Sequence, residues 1–349
     1  MQTLVFYAVS LVAVWWLSKV LVLDVIFNRG TNEVLLGQER VIDVVGVAYK
    51  PTCVTKMSID RLNAHLSPRY INVFTTSDSK CAKFKAMAPN VRCYYDGDVV
   101  PKVTKKSVDA FLAERFGEAY ADALKSGKKL AGWYLQQFVK LGVARYLDDL
   151  SEHFLIWDLD MIPLRNMVPF TGTQPTRAIV NVGGHIHIHR GYELSYEKLT
   201  GSRLEIAPDG SSFVTHSLAA KREYMEEMLR FFEGEERNAW PWRILESIDP
   251  EYIDMGFSEY ASYVSWMLQK HPNEVSLKDR RTWTRYPPGA SFGVAFQILL
   301  SSNHLCCPTH GLVSMMRPMG YDFMGFEIGH SNLCGYHKTR FNESYGLGE

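Results

Sequence analysis

The sequence predicts an α/β protein whose central sheet is mostly parallel, and three observations lead to this class. Residues 41–48 (VIDVVGVA) form a β-branched apolar run, which is typical of a strand buried on both faces. Two more short runs of strand type follow at 70–75 and 91–95, and a helical segment at 54–66 separates the first two. Strands that alternate with helices favour crossover connections, and therefore a doubly wound sheet. No Gly-x-Gly-x-x-Gly follows the first strand, which argues against a dinucleotide-binding fold.

Composition and charge limit the size and the partners of the molecule. The 349 residues are enough for one large α/β domain or two smaller ones. Lysine plus arginine and aspartate plus glutamate both number 38, so the formal net charge is zero. This balance argues against bulk nucleic-acid binding, which needs a basic surface. The six cysteines contain no Cys-x-x-Cys pair, and they fit either luminal disulfides or buried thiols.

The N-terminus predicts a membrane anchor. Residues 4–23 are almost wholly apolar apart from two serines and Lys19, and twenty helical residues span about 30 Å, the thickness of a bilayer core. The alternative, a cleaved signal peptide, lacks a basic leading segment and an Ala-x-Ala site. We therefore expect a transmembrane signal anchor at 1–27 and a short stem at 28–40. The charges that flank the span do not set its orientation.

Two helices are predicted before the most informative strand. The charged segment 105–129 predicts a helix with a break at Gly117 or Gly127. Segment 132–147 carries a broad apolar stripe at near-helical spacing and predicts a second helix. The polar remainder of this second helix has four members: Gln136, Gln137, Lys140 and Arg145. These side chains either form a solvated face or line a site, because the next element carries two aspartates.

That next element is the segment 153–165 (HFLIWDLDMIPLR). Its apolar run is too short for a helix and is stopped by Pro163, which predicts a buried central strand. Asp158 and Asp160 follow at the end of this strand, and ligands of open α/β sheets bind at the carboxyl ends of strands. Both side chains are hard oxygen ligands that suit Mn²⁺ or Mg²⁺ and, through the metal, a diphosphate. The plain alternative is an Asp-capped turn.

The chain then predicts a His-rich strand. A strand at 177–182 precedes the run His185-Ile-His187-Ile-His189, whose three histidines would share one face of a strand. Such a face fits a metal site, a substrate contact or a solvated surface.

Further downstream we expect a short strand at 213–215, a helix at 218–232 and a helix that starts at Trp240. Ser258 is the expected N-cap of a last clear helix, which puts Glu259 in its first turn. Glu259 then either complements the helix dipole or acts as a catalytic or acceptor-binding carboxylate.

The order of these motifs resembles a glycosyltransferase-like family of the GT-A type. The resemblance covers roughly residues 40–270 and excludes the last eighty. A Gly-Gly-x-Tyr-x-Asp approach, present in the related Golgi mannosyltransferase-like enzymes, is missing here. Five motifs carry the resemblance: GWYLQQ-x-x-KL at 132–141, the strand with Asp-x-Asp at 154–160, FVT at 213–215, WPW at 240–242 and FSEY at 257–260.

The resemblance implies a GT-A-like nucleotide-sandwich domain at 41–349, with a donor half at about 41–165 and an acceptor half at about 166–349. Such a domain transfers a sugar from a nucleotide-sugar to a glycan or another hydroxyl acceptor. For a eukaryotic protein it also implies a luminal catalytic domain in the Golgi or the endoplasmic reticulum.

The resemblance further implies roles for single residues. Asp158 and Asp160 would hold Mn²⁺ or Mg²⁺ and the diphosphate, and residues 49–52 would lie near the nucleobase or ribose. Glu259 would receive the acceptor hydroxyl, as a general base if the reaction inverts the anomeric centre. The side chains that would face the donor sugar and phosphates are Gln136, Gln137 and Lys140. A further metal ligand would come from one of three histidines: His310, His330 or His337.

Two other functions remain open from the sequence. A phosphatase of the haloacid-dehalogenase type would use Asp158 as its nucleophile, but it needs a later acidic pair, for which residues 249–254 are a poor substitute. A membrane-anchored, non-catalytic fold of the same type would bind glycans only.

Overall fold

The computed structural model describes residues 41–173, 176–183, 187–285 and 307–326. The strands, in chain order, are β1 (Ile42–Val47), β2 (Ile71–Thr75), β3 (Val91–Tyr95), β4 (His153–Trp157), β5 (Met161–Pro163), β6 (Phe170–Thr171), β7 (Arg177–Val180), β8 (Ser217–Lys221), β9 (Val275–Leu277), β10 (Trp283–Thr284) and β11 (Phe323–Gly325). The α-helices are α1 (Cys53–His65), α2 (Asp78–Lys85), α3 (Lys105–Lys125), α4 (Leu130–Tyr146), α5 (Arg190–Thr200), α6 (Arg222–Glu233), α7 (Trp240–Ser247), α8 (Glu259–Lys270) and α9 (His310–Met316).

A five-stranded sheet with the order β3-β2-β1-β4-β8 forms the centre of the molecule. The strands β3, β2, β1 and β4 are parallel, and β8 alone runs antiparallel at the edge beside β4. This arrangement confirms the predicted α/β class with a mostly parallel sheet. Because all four parallel strands run the same way, the segments after β1 and β4 meet at one edge of the sheet.

Helices cover both faces of this sheet. Successive residues of a strand face opposite sides, so neighbouring residues enter different cores. On one side, Val45 and Ile156 pack into a core with Phe138 of α4. On the other side, Val44 packs into a second core with Ile59 of α1. These strand residues are fully buried, which explains why β1 and β4 are apolar without alternation.

The chain directly after Asp160 enters a second, smaller sheet. β5 pairs antiparallel with β11, which in turn pairs parallel with β10. The backbone N–H of Phe326 donates to the carbonyl of Asp160 at 2.9 Å. The C-terminal described segment therefore holds the backbone of the second aspartate. A third sheet has the order β6-β7-β9.

Four of the six cysteines form two disulfides and are not free thiols, and the other two cysteines lie outside the described residues. Cys81 at α2 bonds to Cys93 in β3, twelve residues on. Cys53, the first residue of α1, bonds to Cys307, 254 residues away. The second bond fastens the segment 307–326 to the helix that follows β1.

Several helix and strand predictions are confirmed by the structure. Ser258 caps α8 by accepting from the Ala261 N–H, and Pro241 lies in the first turn of α7. The helix α3 is interrupted at Gly117, whose φ of 48° lies in the region that glycine adopts without strain.

Other predictions are wrong. The helix expected at 218–232 begins only at Arg222, because Ser217–Lys221 form strand β8, and the strand expected at 213–215 is absent from the described residues there. The helix α2 was not anticipated. The histidine run does not form a strand over its described part: His187 makes an isolated bridge to Ser211, and His189 caps α5 through its ring.

No helix within the described ranges is long and apolar enough to cross a membrane. The anchor expected at 1–27 and the stem at 28–40 lie outside those ranges, and both stay predictions. His185, His330 and His337 lie outside them as well.

Candidate active site

A cleft of about 630 Å³ opens at the carboxyl edge of the central sheet. Its walls come from the segment after β1, the Asp-x-Asp segment after β4, one face of α4 and the start of α8. Six site residues that the sequence predicted line this cleft: Gln136, Gln137, Lys140, Asp158, Asp160 and Glu259. The topology thus brings together side chains that lie up to 123 positions apart in the sequence (259 minus 136).

One face of the helix α4 lines the cleft. Trp133, Gln136, Gln137 and Lys140 have the spacing i, i+3, i+4 and i+7, which aligns side chains along one side of a helix. Gln137 is 2% exposed, and its Oε1 accepts from the backbone N–H of Glu259 at 3.1 Å. This face of α4 therefore packs on the start of α8 and supplies the polar floor of the cleft.

Lys140 is the centre of a buried network. The side chain is 4% exposed, and its ammonium contacts three acceptors. Its Nζ lies 2.6 Å from Asp158 Oδ1, 2.8 Å from Glu259 Oε1 and 3.3 Å from the Tyr260 hydroxyl. One cation thereby joins the carboxylate after β4 to the carboxylate at the start of α8.

Asp158 accepts further hydrogen bonds on both oxygens. The Tyr260 hydroxyl donates to Oδ1 at 2.9 Å, and the His216 Nδ1–H donates to Oδ2 at 2.7 Å. The position of His216 follows from the sheet register. Trp157 pairs with Ser217 in antiparallel strands, so the residue before Ser217 lies opposite the residue after Trp157.

The electrostatics of the network favour an ionised pair. Burial alone would lower the pKa of Lys140, but the charges of Asp158 and Glu259 outweigh it and raise this pKa above its ordinary value. Burial alone would raise the pKa of Asp158, but the charge of Lys140 and the hydrogen bond from His216 hold it well below its usual range. Burial and both carboxylates raise the pKa of Tyr260 well above its ordinary value. At neutral pH, Tyr260 is thus a neutral donor beside an ion pair.

The position of Glu259 fits both roles that the sequence left as alternatives. It is the first residue of α8, where a carboxylate complements the helix dipole. It is also 4% exposed, pairs with Lys140 and lines the cleft. A carboxylate that served the dipole alone would not need burial against a lysine.

The two aspartates fit a divalent cation that arrives with a phosphate ligand. Asp158 carries three hydrogen bonds, and a carboxylate offers about four lone-pair positions. Asp160 is partly buried beside it. Among the described residues no group of three or more His, Cys, Asp or Glu could hold a metal. Mg²⁺ is commonly held by one or two carboxylates plus substrate phosphates, and these residues suit that mode.

Only some of the described histidines lie at the cleft. His310 is exposed at the start of α9 and is not among the residues that line the cleft. His187 and His189 do line it, and the His189 Nδ1 accepts from the Gly191 N–H at 3.3 Å. His216, which directly follows the strand expected at 213–215, is the histidine that contacts Asp158.

The rim of the cleft carries an exposed aromatic ring. Tyr49, just after β1, is 69% exposed, and the Lys80 Nζ lies 3.8 Å from the centroid of its ring. Lys50 and Thr52 line the same part of the cleft.

Sequence reasoning missed His216 and Tyr260 as site residues. Tyr260 belongs to the FSEY motif, and its position next to Glu259 at a helix start was an available signal. His216 had no such signal, because the strand β8 that positions it was predicted as the beginning of a helix.

The acidic pair that a haloacid-dehalogenase-type phosphatase needs is not found at the cleft within the described residues. Asp249 caps the short 3₁₀ helix Pro250–Tyr252, and Asp254 pairs with Lys128. Neither lines the cleft. The neighbours of Asp158 are instead a lysine, a tyrosine and a histidine.

Fold and site together define a doubly wound α/β protein with a charged cleft at the carboxyl edge of its sheet. The profile of a family of unknown function, DUF6492, matches residues 34–282, so the chain belongs to that family. No curated protein sequence matches the chain.

Solved structures with some likeness include mouse xyloside xylosyltransferase 1 in its apo form, at 11% identity and a TM-score of 0.39, with 82% of this chain and 97% of that chain covered. An active-site mutant of LgtC matches at 10% identity and a TM-score of 0.42, over 81% and 86% of the two chains. The galactosyltransferase LgtC with donor and acceptor sugar analogues matches at 12% identity and a TM-score of 0.41, over 87% and 95%. At this level of similarity, the likenesses carry no argument about the function of this chain.

Proposed function

We propose that this protein is a metal-dependent glycosyltransferase that moves a sugar from a nucleotide-sugar to a hydroxyl acceptor, such as a glycan. One observation carries the proposal: the two carboxylates after β4 share a single cleft with the polar face of α4 and with the buried carboxylate of Glu259. The cleft is of a size that suits a small-molecule ligand, and it lies where open α/β sheets bind theirs.

The donor half of the cleft supplies the contacts to the nucleotide-sugar. Residues 49–52 at the end of β1 face the base and ribose, and the exposed ring of Tyr49 offers a stacking surface. Gln136 and Gln137 on α4 lie along the wall toward the sugar.

Asp160 and Asp158 would hold Mn²⁺ or Mg²⁺ against the diphosphate, because their oxygens are hard ligands on one edge of the sheet. A cation bound there neutralises the charge that builds on the departing nucleoside diphosphate. Three hydrogen bonds hold the carboxylate of Asp158, and the bond from the Phe326 N–H holds the backbone that carries the carboxylate of Asp160.

Glu259 is the residue we propose for the acceptor hydroxyl. It is buried and pairs with Lys140, so its carboxylate can accept a hydrogen bond from the hydroxyl that attacks. In an inverting reaction it also takes the proton of that hydroxyl as general base. In a retaining reaction its carboxylate orients the acceptor sugar.

The proposed location is a membrane-anchored protein with a luminal catalytic domain. Two observations support it: the apolar segment 4–23 and the disulfides Cys53–Cys307 and Cys81–Cys93, since disulfides persist in oxidising compartments.

The test uses the full-length chain purified in detergent. Calorimetry with a panel of nucleoside diphosphates should find one that binds at least about tenfold more tightly in Mn²⁺ than in EDTA. The matching nucleotide-sugar should then be turned over, measured by release of nucleoside diphosphate with and without candidate acceptors. Equal binding in Mn²⁺ and EDTA would remove the metal from the proposal. Glycan binding without turnover of any nucleotide-sugar would favour the non-catalytic alternative.

A further inference from the structure

Lys140 uses all its hydrogen-bond donors inside the protein. A lysine ammonium has three N–H groups, and three acceptors surround this one: Asp158 Oδ1, Glu259 Oε1 and the Tyr260 hydroxyl. The side chain is 4% exposed. A donor phosphate or sugar could gain a hydrogen bond from this ammonium only by displacing one of those acceptors.

The three acceptors lie on two parts of the chain, and the lysine lies on a third. Lys140 belongs to α4, Asp158 follows β4, and Glu259 and Tyr260 begin α8. Asp158 and Glu259 are 101 positions apart (259 minus 158), and each interacts with the same nitrogen. The lysine therefore sets the distance between the carboxylate on the donor side of the cleft and the carboxylate on the acceptor side.

We propose that Lys140 is a positioning residue of this site: its ammonium fixes Glu259 relative to Asp158 and does not bind the sugar donor. This proposal rests on the proposed function, and it replaces the donor contact that the sequence resemblance gave to Lys140.

The two carboxylates depend on Lys140 to different degrees. Asp158 keeps the hydrogen bonds from Tyr260 and His216 when the ammonium is removed. Glu259 loses its ion pair. The donor side of the cleft should consequently survive the loss of Lys140, whereas the carboxylate that receives the acceptor should move.

The chief test is the variant Lys140→Met, which keeps much of the apolar stem and removes the charge. We expect the KM for the nucleotide-sugar and the Kd for its nucleoside diphosphate to change less than about threefold, while kcat falls by about 100-fold. A Kd that rises tenfold or more, with kcat little changed, would overturn the positioning role in favour of direct donor binding.

Lys221→Met is the matched control. Lys221 is also a buried lysine, 5% exposed, and it pairs with Glu274 away from the cleft. Its loss should destabilise the fold while leaving kcat and KM unchanged. If both variants lower kcat equally, the effect of Lys140 is general destabilisation and the proposal fails.

A double-mutant cycle tests whether Lys140 acts through Glu259. In the Glu259→Gln background, Lys140→Met should lower kcat by less than about threefold, because the carboxylate it positions is already gone. A further loss of about 100-fold would show that the two residues act independently, which contradicts the proposal. Should Lys140→Met be obtained only unfolded, Lys140→Gln takes its place, since it also removes the charge, with the same expected fall in kcat at unchanged KM.

Failure of this proposal differs from failure of the proposed function. A wild-type chain that neither binds a nucleoside diphosphate nor turns over a nucleotide-sugar overturns both. An active wild-type chain whose Lys140→Met variant loses donor affinity overturns the role of Lys140 only.

Discussion

Asp158 and Asp160 are two positions apart, yet their surroundings differ. Asp158 is surrounded by Lys140, Tyr260 and His216, so its removal disturbs a network. The backbone carbonyl of Asp160 accepts from the Phe326 N–H, and its side chain lines the cleft. We propose that both carboxylates contribute to cation binding and that Asp158 also has a structural role in this network.

The first prediction separates these two carboxylates. Asp160→Asn should weaken Mn²⁺-dependent binding of nucleoside diphosphate by about 10- to 100-fold, because its side chain lines the cleft. Asp158→Asn should weaken it too and also lower the free energy of unfolding by about 2 kcal/mol, since a buried lysine loses one charged partner. Calorimetry and urea unfolding measure the two quantities. Full metal-dependent binding by Asp160→Asn would refute its role as a ligand.

The second prediction concerns Glu259. Glu259→Gln keeps the size of the side chain and removes its charge, so kcat should fall by about 100-fold or more while the KM for the sugar donor stays within about threefold. Steady-state kinetics with a saturating acceptor measure both constants. Normal turnover, with a loss of no more than about 1 kcal/mol in stability, would reduce Glu259 to its interaction with the helix dipole.

At the scale of elements, the start of α8 decides where the acceptor carboxylate lies. Ser258 accepts from the Ala261 N–H, and the Glu259 N–H donates to Gln137 of α4. The cap and the amide together fix the first turn of α8 against α4. This turn was predictable, because a serine before an amphipathic helix is a strong N-cap signal.

The third prediction tests this helix start against a distant one. Ser258→Ala and Thr104→Ala each remove a side-chain cap, from α8 and α3 respectively, and each should lower the free energy of unfolding by about 1 kcal/mol. Only Ser258→Ala should also lower kcat, by about tenfold, because small displacements of a catalytic group are costly. Urea unfolding and steady-state kinetics provide the comparison. Equal kcat for the two variants would argue that the cap does not position Glu259.

The strand β8 is the element whose misprediction mattered most for the site. Ser217–Lys221 (SLAAK) has no strong β-branched character and runs directly into the amphipathic helix α6, so its local pattern is helical. Its strand conformation comes from pairing with β4, a contact between distant residues. His216 went unrecognised for the same reason.

At the scale of the molecule, the disulfides secure different lengths of chain. Cys81–Cys93 closes a short loop within one α/β unit. Cys53–Cys307 closes most of the described chain and fastens the segment whose Phe326 bonds to the backbone of Asp160. This bond thus connects the segment beside Asp160 to a helix that lies far from it in the sequence.

The fourth prediction compares the two bonds. By loop-closure entropy, the long loop of Cys53–Cys307 is worth about 5 kcal/mol and the short loop of Cys81–Cys93 about 3 kcal/mol. Replacing both cysteines of a pair by serine should therefore destabilise the fold more for the first pair, as measured by urea unfolding. Only the first pair should also weaken Mn²⁺-dependent binding of nucleoside diphosphate. Unchanged binding without Cys53–Cys307 would show that the segment 307–326 stays in place by packing alone.

The sequence by itself determined the α/β class, the strands β1 to β4, the start of α8 and the position of Asp158 and Asp160 at a strand end. Each of these depends on patterns within about a dozen neighbouring residues, such as apolar runs, caps and helix periodicity. Only the tertiary structure decided which groups meet: Lys140 with Glu259, 119 positions away, and Asp158 with His216 and Tyr260, 58 and 102 positions away. Local patterns carry no record of such pairs, because sheet order and helix packing bring them together.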